Sequence, residues 1–198
     1  MADKSELIIQ AALKVFYQRG YGSVSIEEIA REAEVAKGTI YLYFKDKDEL
    51  FFRSVLYVIE FIEATTREVA TDSKDPFQVL GRIAYGHLHS ILRNKHFCGL
   101  FYIISDPGLV KNREKLFNIL LEKENALLSF ITRIIEQGKS AGFIESTLDA
   151  KEVAYFFQGM LSNTLKRIHL EHPENTIDID KTVTSLMDVL KNGIHKRG

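Results

Sequence analysis

Apolar residues in this chain recur at steps of three and four positions, and nowhere do they alternate with polar residues over more than a few places. Side chains one helical turn apart share a face, whereas a strand repeats every second residue, so this spacing specifies helices. Only three prolines interrupt 198 residues, which leaves room for long unbroken helices. The expected fold class is all-α.

The helix ends are written in the sequence too. Leu7, Ile8, Ala11, Ala12, Val15 and Phe16 line one face of a first helix, and Gly20 supplies a left-handed stop. Ser25 and Glu28 have the spacing of a capping box, in which each side chain accepts from an otherwise unpaired N–H at the other's position, so a second helix starts there. Asp46 with Glu49, Asp75-Pro76, Asp106-Pro107 and Asp149 with Glu152 mark later starts. Apolar stripes run from Leu116 to Ile135 and from Val153 to Ile168, and a last helix is expected from about Asp180 to Ile194. A short helix between His96 and Ser105 brings the expected total to about nine.

No linker long enough to separate independent domains interrupts these elements. The expected organisation is a three-helix unit at residues 1–48 and a helical bundle at 49–198, joined by a fourth helix that passes continuously from one to the other. A hydrophobic content of 45% is enough for a substantial core and argues against disorder. The net charge of -1, with acids outnumbering bases in the first fifty residues, means that any attraction to a polyanion is local. Cys98 stands alone, which excludes an intrachain disulfide. The start MADKSELIIQ lacks the layout of a signal peptide, and no apolar run approaches the roughly 20 residues that span a bilayer, so a cytoplasmic location is expected.

Residues 34 to 50 read EVAKGTIYLYFKDKDEL, which places Ile40, Tyr41, Leu42, Tyr43 and Phe44 in succession. At helical spacing these point all round the axis, so some meet something outside their own unit. A tight turn at Glu34-Val35 and a helix from Ala36 to Phe44 would make, with the capped second helix, a helix-turn-helix. Ala36, Ile40 and Phe44 share the arc that seats it. Gly38, Leu42 and the flank of Tyr41 lie opposite, with Thr39 and Tyr43 at the edges. Such an arc suits the DNA major groove: small residues permit close approach, and hydroxyls reach base edges or phosphates. Lys37, Lys45 and Lys47 bracket it with positive charge.

Residues 7 to 51 closely resemble the DNA-binding domain of the TetR family of bacterial transcriptional regulators. The run AALKVFYQRGYGSVSIEEIAREAEVAKGTIYLYFKDKDELF carries the resemblance: an alanine-rich first helix, an aromatic-glycine-tyrosine turn, a hydroxyl cap, and the KGTIYLYF helix followed by K-x-K-x-E-L-F. Two positions depart from the pattern, Ala36 where a hydroxyl is frequent and Leu42 where polar or aromatic residues are also common. The resemblance implies a homodimer whose paired heads read a palindromic operator in double-stranded DNA, usually to repress, and whose C-terminal helices enclose a small-molecule pocket. Carried over residue by residue, it places the DNA contacts on Ser25, Lys37, Gly38, Thr39, Tyr41, Leu42, Tyr43 and Lys47. Ser25 serves equally well as a cap alone.

Beyond that run the resemblance is one of architecture. The aromatics of residues 77 to 157 suit a hydrophobic or aromatic effector, with Phe101, Tyr102, Phe130 and Phe156 as candidate walls and Tyr85 and His89 as candidate polar anchors. His89 reads more readily as a surface or satisfied core histidine than as a ligand anchor. His87 and His89 lie about 200° apart on a helix and make no metal pair, and no cofactor is implied. The last two long helices are expected to offer Met160, Leu161, Leu186, Met187 and Leu190 to a partner subunit. No nucleophile elbow, phosphate loop or metal-spaced set marks the chain as an enzyme. The alternative class is a helical protein-interaction module without DNA binding. The sequence leaves open the operator, the effector and whether that effector releases or promotes binding.

Overall fold

The structure is a computed structural model that describes residues 3–69, 73–93, 113–145, 147–171 and 177–194. Eight helices and no strand form among the described residues: α1 Lys4–Arg19, α2 Ile26–Glu32, α3 Lys37–Tyr43, α4 Lys47–Val69, α5 Pro76–Arg93, α6 Arg113–Ser140, α7 Ala150–Glu171 and α8 Ile179–Ile194. The short helix expected between His96 and Ser105, and with it Phe101 and Tyr102, lies outside the described residues. The described residues form two compact units, one within 1–61 and 94–121 and the other within 62–93 and 122–198.

The caps expected at Ser25, Asp46, Asp75 and Asp149 are made, while the start expected at Asp106-Pro107 lies outside the described residues. Ser25 and Glu28 close the reciprocal box at α2. The Asp46 carboxylate accepts from the Glu49 N–H at 2.8 Å, Asp75 from Phe77 at 2.9 Å and Asp149 from Glu152 at 2.9 Å. Gly20 does end α1, but at φ 73°, ψ 153° rather than in the left-handed helical well, a region open almost only to glycine.

In the first unit α1 packs on α2 and α3. Ile8, Ala12, Leu13 and Phe16 of α1 meet a core completed by Ile29, Ile40, Leu50 and Phe51. Phe51 stands edge-on to Phe16 and Tyr21, with ring centroids 5.2 Å and 4.9 Å apart. Leu7, expected on the buried stripe, is 48% exposed. The second unit is a layered core of Leu80 and Ile83 from α5, Ile131 and Ile135 from α6, Phe157 and Leu161 from α7, and Leu186 and Leu190 from α8.

Two helices end in the same way with different residues. At α6 the Phe143 N–H returns to the Gly138 carbonyl and the Gly142 N–H to Lys139, a Schellman motif with Gly142 at φ 79°. At α2 the Val35 N–H returns to Ala30 and the Glu34 N–H to Arg31, but the left-handed position is a glutamate at φ 55°. A side chain there is strained by roughly 1 kcal/mol. Glu34 therefore turns the chain from α2 into α3 at the position where glycine is usual.

Candidate nucleic-acid interface

With seven residues, α3 is too short to hold itself together, and it stands because one side of it is buried. Ile40 and the following Phe44 are inaccessible, whereas Ala36, expected beside them, is exposed and gives α3 no side-chain cap. Lys37, Gly38, Tyr41, Leu42 and Tyr43 are all exposed, and Thr39 is half-buried. Leu42 is the extreme, 82% accessible. A Cβ placed on Gly38 would meet nothing within 4 Å, so the protein's own packing does not require glycine there.

The polar residues around this arc are partly engaged. Ser25 is exposed, with its hydroxyl accepting from the Glu28 N–H at 3.3 Å and donating to the Glu28 carboxylate at 3.0 Å. Lys37 donates to Glu27, an ion pair that holds the Lys37 ammonium above its ordinary pKa and Glu27 below its own. Its Nζ also stands 5.9 Å from the Tyr41 ring centroid. Lys47 donates to the carbonyls of Tyr21 and Val24, each at 3.0 Å, and lies 4.4 Å from the Tyr21 ring centroid. It locks the turn after α1 to the start of α4, and one of its three protons remains for another acceptor. The Tyr21 hydroxyl donates to Asp48, and burial together with that carboxylate pushes the phenol above its ordinary range.

Among the described residues, the candidate ligand residues stand in different surroundings. Tyr85 and His89 stack along α5, centroids 5.6 Å apart and rings inclined by 14°. Tyr85 borders an open depression of about 430 Å³ with Gln78, Gly81, Arg82 and Val183, which includes none of the other candidates. Phe130 packs against the core of the second unit, with Arg133 lying 5.8 Å from its centroid. Phe156 is 65% exposed. Phe101 and Tyr102 are outside the described residues.

The candidate partner residues on α7 and α8 face inward. Leu161, Leu186 and Leu190 are buried in their own subunit's core, and Met160 and Met187 pack against it. Each helix instead leaves another apolar side chain outside: Tyr155 and Phe156 on α7, and Val189 on α8, 66% exposed.

His87, weighed in the sequence only as half of a metal pair, is buried, 6% exposed. Its Nε2 lies 2.5 Å from the Thr66 hydroxyl, which itself donates to the Ile62 carbonyl at 2.8 Å. The hydroxyl's one proton is thus committed, so it accepts from His87, and the imidazole carries its proton on Nε2. Burial lowers the His87 pKa from 6.5 to about 4. The signal was available, because position 87 continues the α5 stripe of Leu80, Ile83, Ala84, Leu88 and Ile91.

Among the described residues no group of three or more acidic, histidine or cysteine side chains could hold a metal, and no helix is long and apolar enough to cross a membrane. The family described as bacterial regulatory proteins, tetR family, matches residues 8–53. The chain is 27% identical to the fatty acid metabolism regulator protein of Bacillus subtilis, over 96% of this chain and 95% of that one. The fold is shared with the fatty acid degradation regulator FadR of Bacillus halodurans, TM-score 0.80 at 20% identity over 99% of both chains. It is also shared with FadR of Bacillus subtilis, solved in complex with stearoyl-CoA, TM-score 0.76 at 23% identity over 96% of this chain and 99% of the other.

Proposed function

Because the chain belongs to the TetR family of DNA-binding transcriptional regulators, we propose that it is a homodimeric repressor released from a palindromic operator by a long-chain fatty acyl-CoA. The reading head is residues 1–48, and residues 49–198 bind the effector and form the dimer. The observation that carries the effector class is the likeness along nearly the whole chain to a regulator of fatty acid metabolism, supported by a neighbour of the same fold solved with stearoyl-CoA. The exposed Gly38, Tyr41 and Leu42, the half-buried Thr39 and the neighbouring Lys37, Lys45 and Lys47 suit a surface that approaches the DNA major groove closely, which favours this reading over a protein-interaction module.

What α7 and α8 leave outside supports dimerisation through these helices. Phe156 and Val189 are large apolar groups in water, and Cβ atoms placed on Gly159 of α7 and Gly193 of α8 would meet nothing within 4 Å. Apolar side chains beside open glycines let another helix approach closely, and a two-fold dimer built this way matches an operator of two half-sites about 34 Å apart. Linkage makes release reciprocal: whatever factor the effector costs in operator affinity, operator costs in effector affinity.

The experiment is fluorescence anisotropy on a duplex selected by the protein from a randomised pool, titrated with stearoyl-CoA, free coenzyme A and stearate. Stearoyl-CoA should release the duplex and the two fragments should not. Persistent binding at saturating stearoyl-CoA would refute the effector class. Phe156→Glu combined with Val189→Glu should sediment as a monomer at micromolar concentration and bind the duplex poorly, and a dimer of unchanged stability would refute this assignment of the interface.

A further inference from the structure

On the proposed reading α3 enters the major groove, and the residues at the centre of its outward side then decide what it can recognise. With about 100° per residue, and Ile40 pointing straight into the core, Gly38 and Leu42 fall about 160° and 200° away and flank the outward direction. Burial agrees: Ile40 is inaccessible, while Gly38 and Leu42 are exposed. Neither side chain offers a donor or an acceptor. The nearest hydroxyls, Tyr41 and Thr39, sit about 80° to either side of the outward direction, where they suit phosphates and flanking bases. The Lys37 ammonium is engaged by Glu27.

An apolar side chain at the centre of a groove-reading helix cannot distinguish bases by hydrogen bonds. In the major groove one base alone presents an apolar group, the C5-methyl of thymine. Leu42 is the most exposed large apolar residue of the described chain, and Gly38, one turn before it, holds no side chain that would keep the helix away from the groove floor. We propose that Leu42 reads the C5-methyl of one thymine in each operator half-site, and that specificity at the centre of each half-site is apolar. This rests on the DNA-reading assignment of α3.

Deoxyuridine pairs as thymine does and lacks only the methyl group, so it isolates the contact. In the selected duplex, thymines are replaced by deoxyuridine one position at a time and affinity is measured by anisotropy. One position per half-site should lose about four-fold, and the symmetric double replacement about fifteen-fold, the loss expected for one buried methyl and for two. Leu42→Ala should reduce the effect of deoxyuridine at that position to less than two-fold while leaving its effect elsewhere unchanged. Because Leu42 is exposed, the variant should melt with the parent, and its retained phosphate contacts should keep it bound at low salt. Uniform indifference to deoxyuridine, or a sensitive position that stays sensitive in Leu42→Ala, would overturn the assignment while leaving DNA binding intact. Failure of the parent protein to bind any duplex would overturn the DNA-reading assignment itself.

Discussion

Acidification should destabilise this protein through His87 in a way that one substitution removes. The unfolded chain protonates the imidazole near its ordinary 6.5, whereas the folded chain, having buried it, resists protonation down to about 4. The depressed folded pKa means that the contribution is fully present above 6.5 and is lost as pH falls from there toward 4. Between about pH 7.5 and pH 5 the unfolded state takes up the proton and the folded state does not, a difference of about 2 kcal/mol. For a chain of this length that corresponds to a fall of roughly 4–8 °C in melting temperature from this residue alone. Carboxylates and other histidines add their own pH dependence, so the informative quantity is the difference between the parent and His87→Phe. Phenylalanine fills a similar volume, and the Thr66 hydroxyl keeps its bond to the Ile62 carbonyl, so stability at the higher pH should change by no more than about 1 kcal/mol. Melts by circular dichroism at both pH values, at one protein concentration, should show the variant losing about 2 kcal/mol less than the parent. Parallel losses would mean that His87 protonates in the folded state as readily as in water, and the buried-neutral account would fail.

Lys47→Ala should lower stability by about 1–2 kcal/mol, because it removes two bonds to the carbonyls of Tyr21 and Val24 and a contact with the Tyr21 ring. It should also flatten the dependence of log operator affinity on log salt by about 0.9. A stability loss with an unchanged slope would assign the lysine to the fold alone. Gly138→Ala should destabilise the second unit by roughly 1–3 kcal/mol, since its new Cβ would stand 2.7 Å from Pro76 and 2.8 Å from Ile144. Chemical denaturation that gives the parent's midpoint would show that those neighbours yield freely.

Among the described residues the sequence by itself determined the helices, the capping carboxylates and the outward arc of α3, because all of these are local. A capping carboxylate acts within three residues of itself, as Asp149 does at α7. Over seven residues, burying Ile40 is enough to expose Gly38 and Leu42. The turn at Glu34 and Val35 was legible too, although the left-handed φ of 55° at Glu34 was not, because glycine is the residue that usually marks such a position.

The tertiary structure alone decided which of several apolar faces is used, and by what. Periodicity shows that Phe156, Phe157, Met160 and Leu161 belong to one wide stripe on α7, but only the core shared with α5, α6 and α8 determines that Phe157 and Leu161 are buried while Phe156 stays in water. The same holds for Leu186 and Leu190, which are core residues beside an exposed Val189. Long side chains are the other case. Lys47 reads as a phosphate ligand from its place beside the reading helix, yet its ammonium reaches back across more than twenty residues to two carbonyls. His87 is kept neutral by burial among helices distant in the chain and is hydrogen-bonded to Thr66 on α4. Local spacing fixes the direction in which a side chain leaves its own helix; what it meets there is set by the packing of segments distant in the chain.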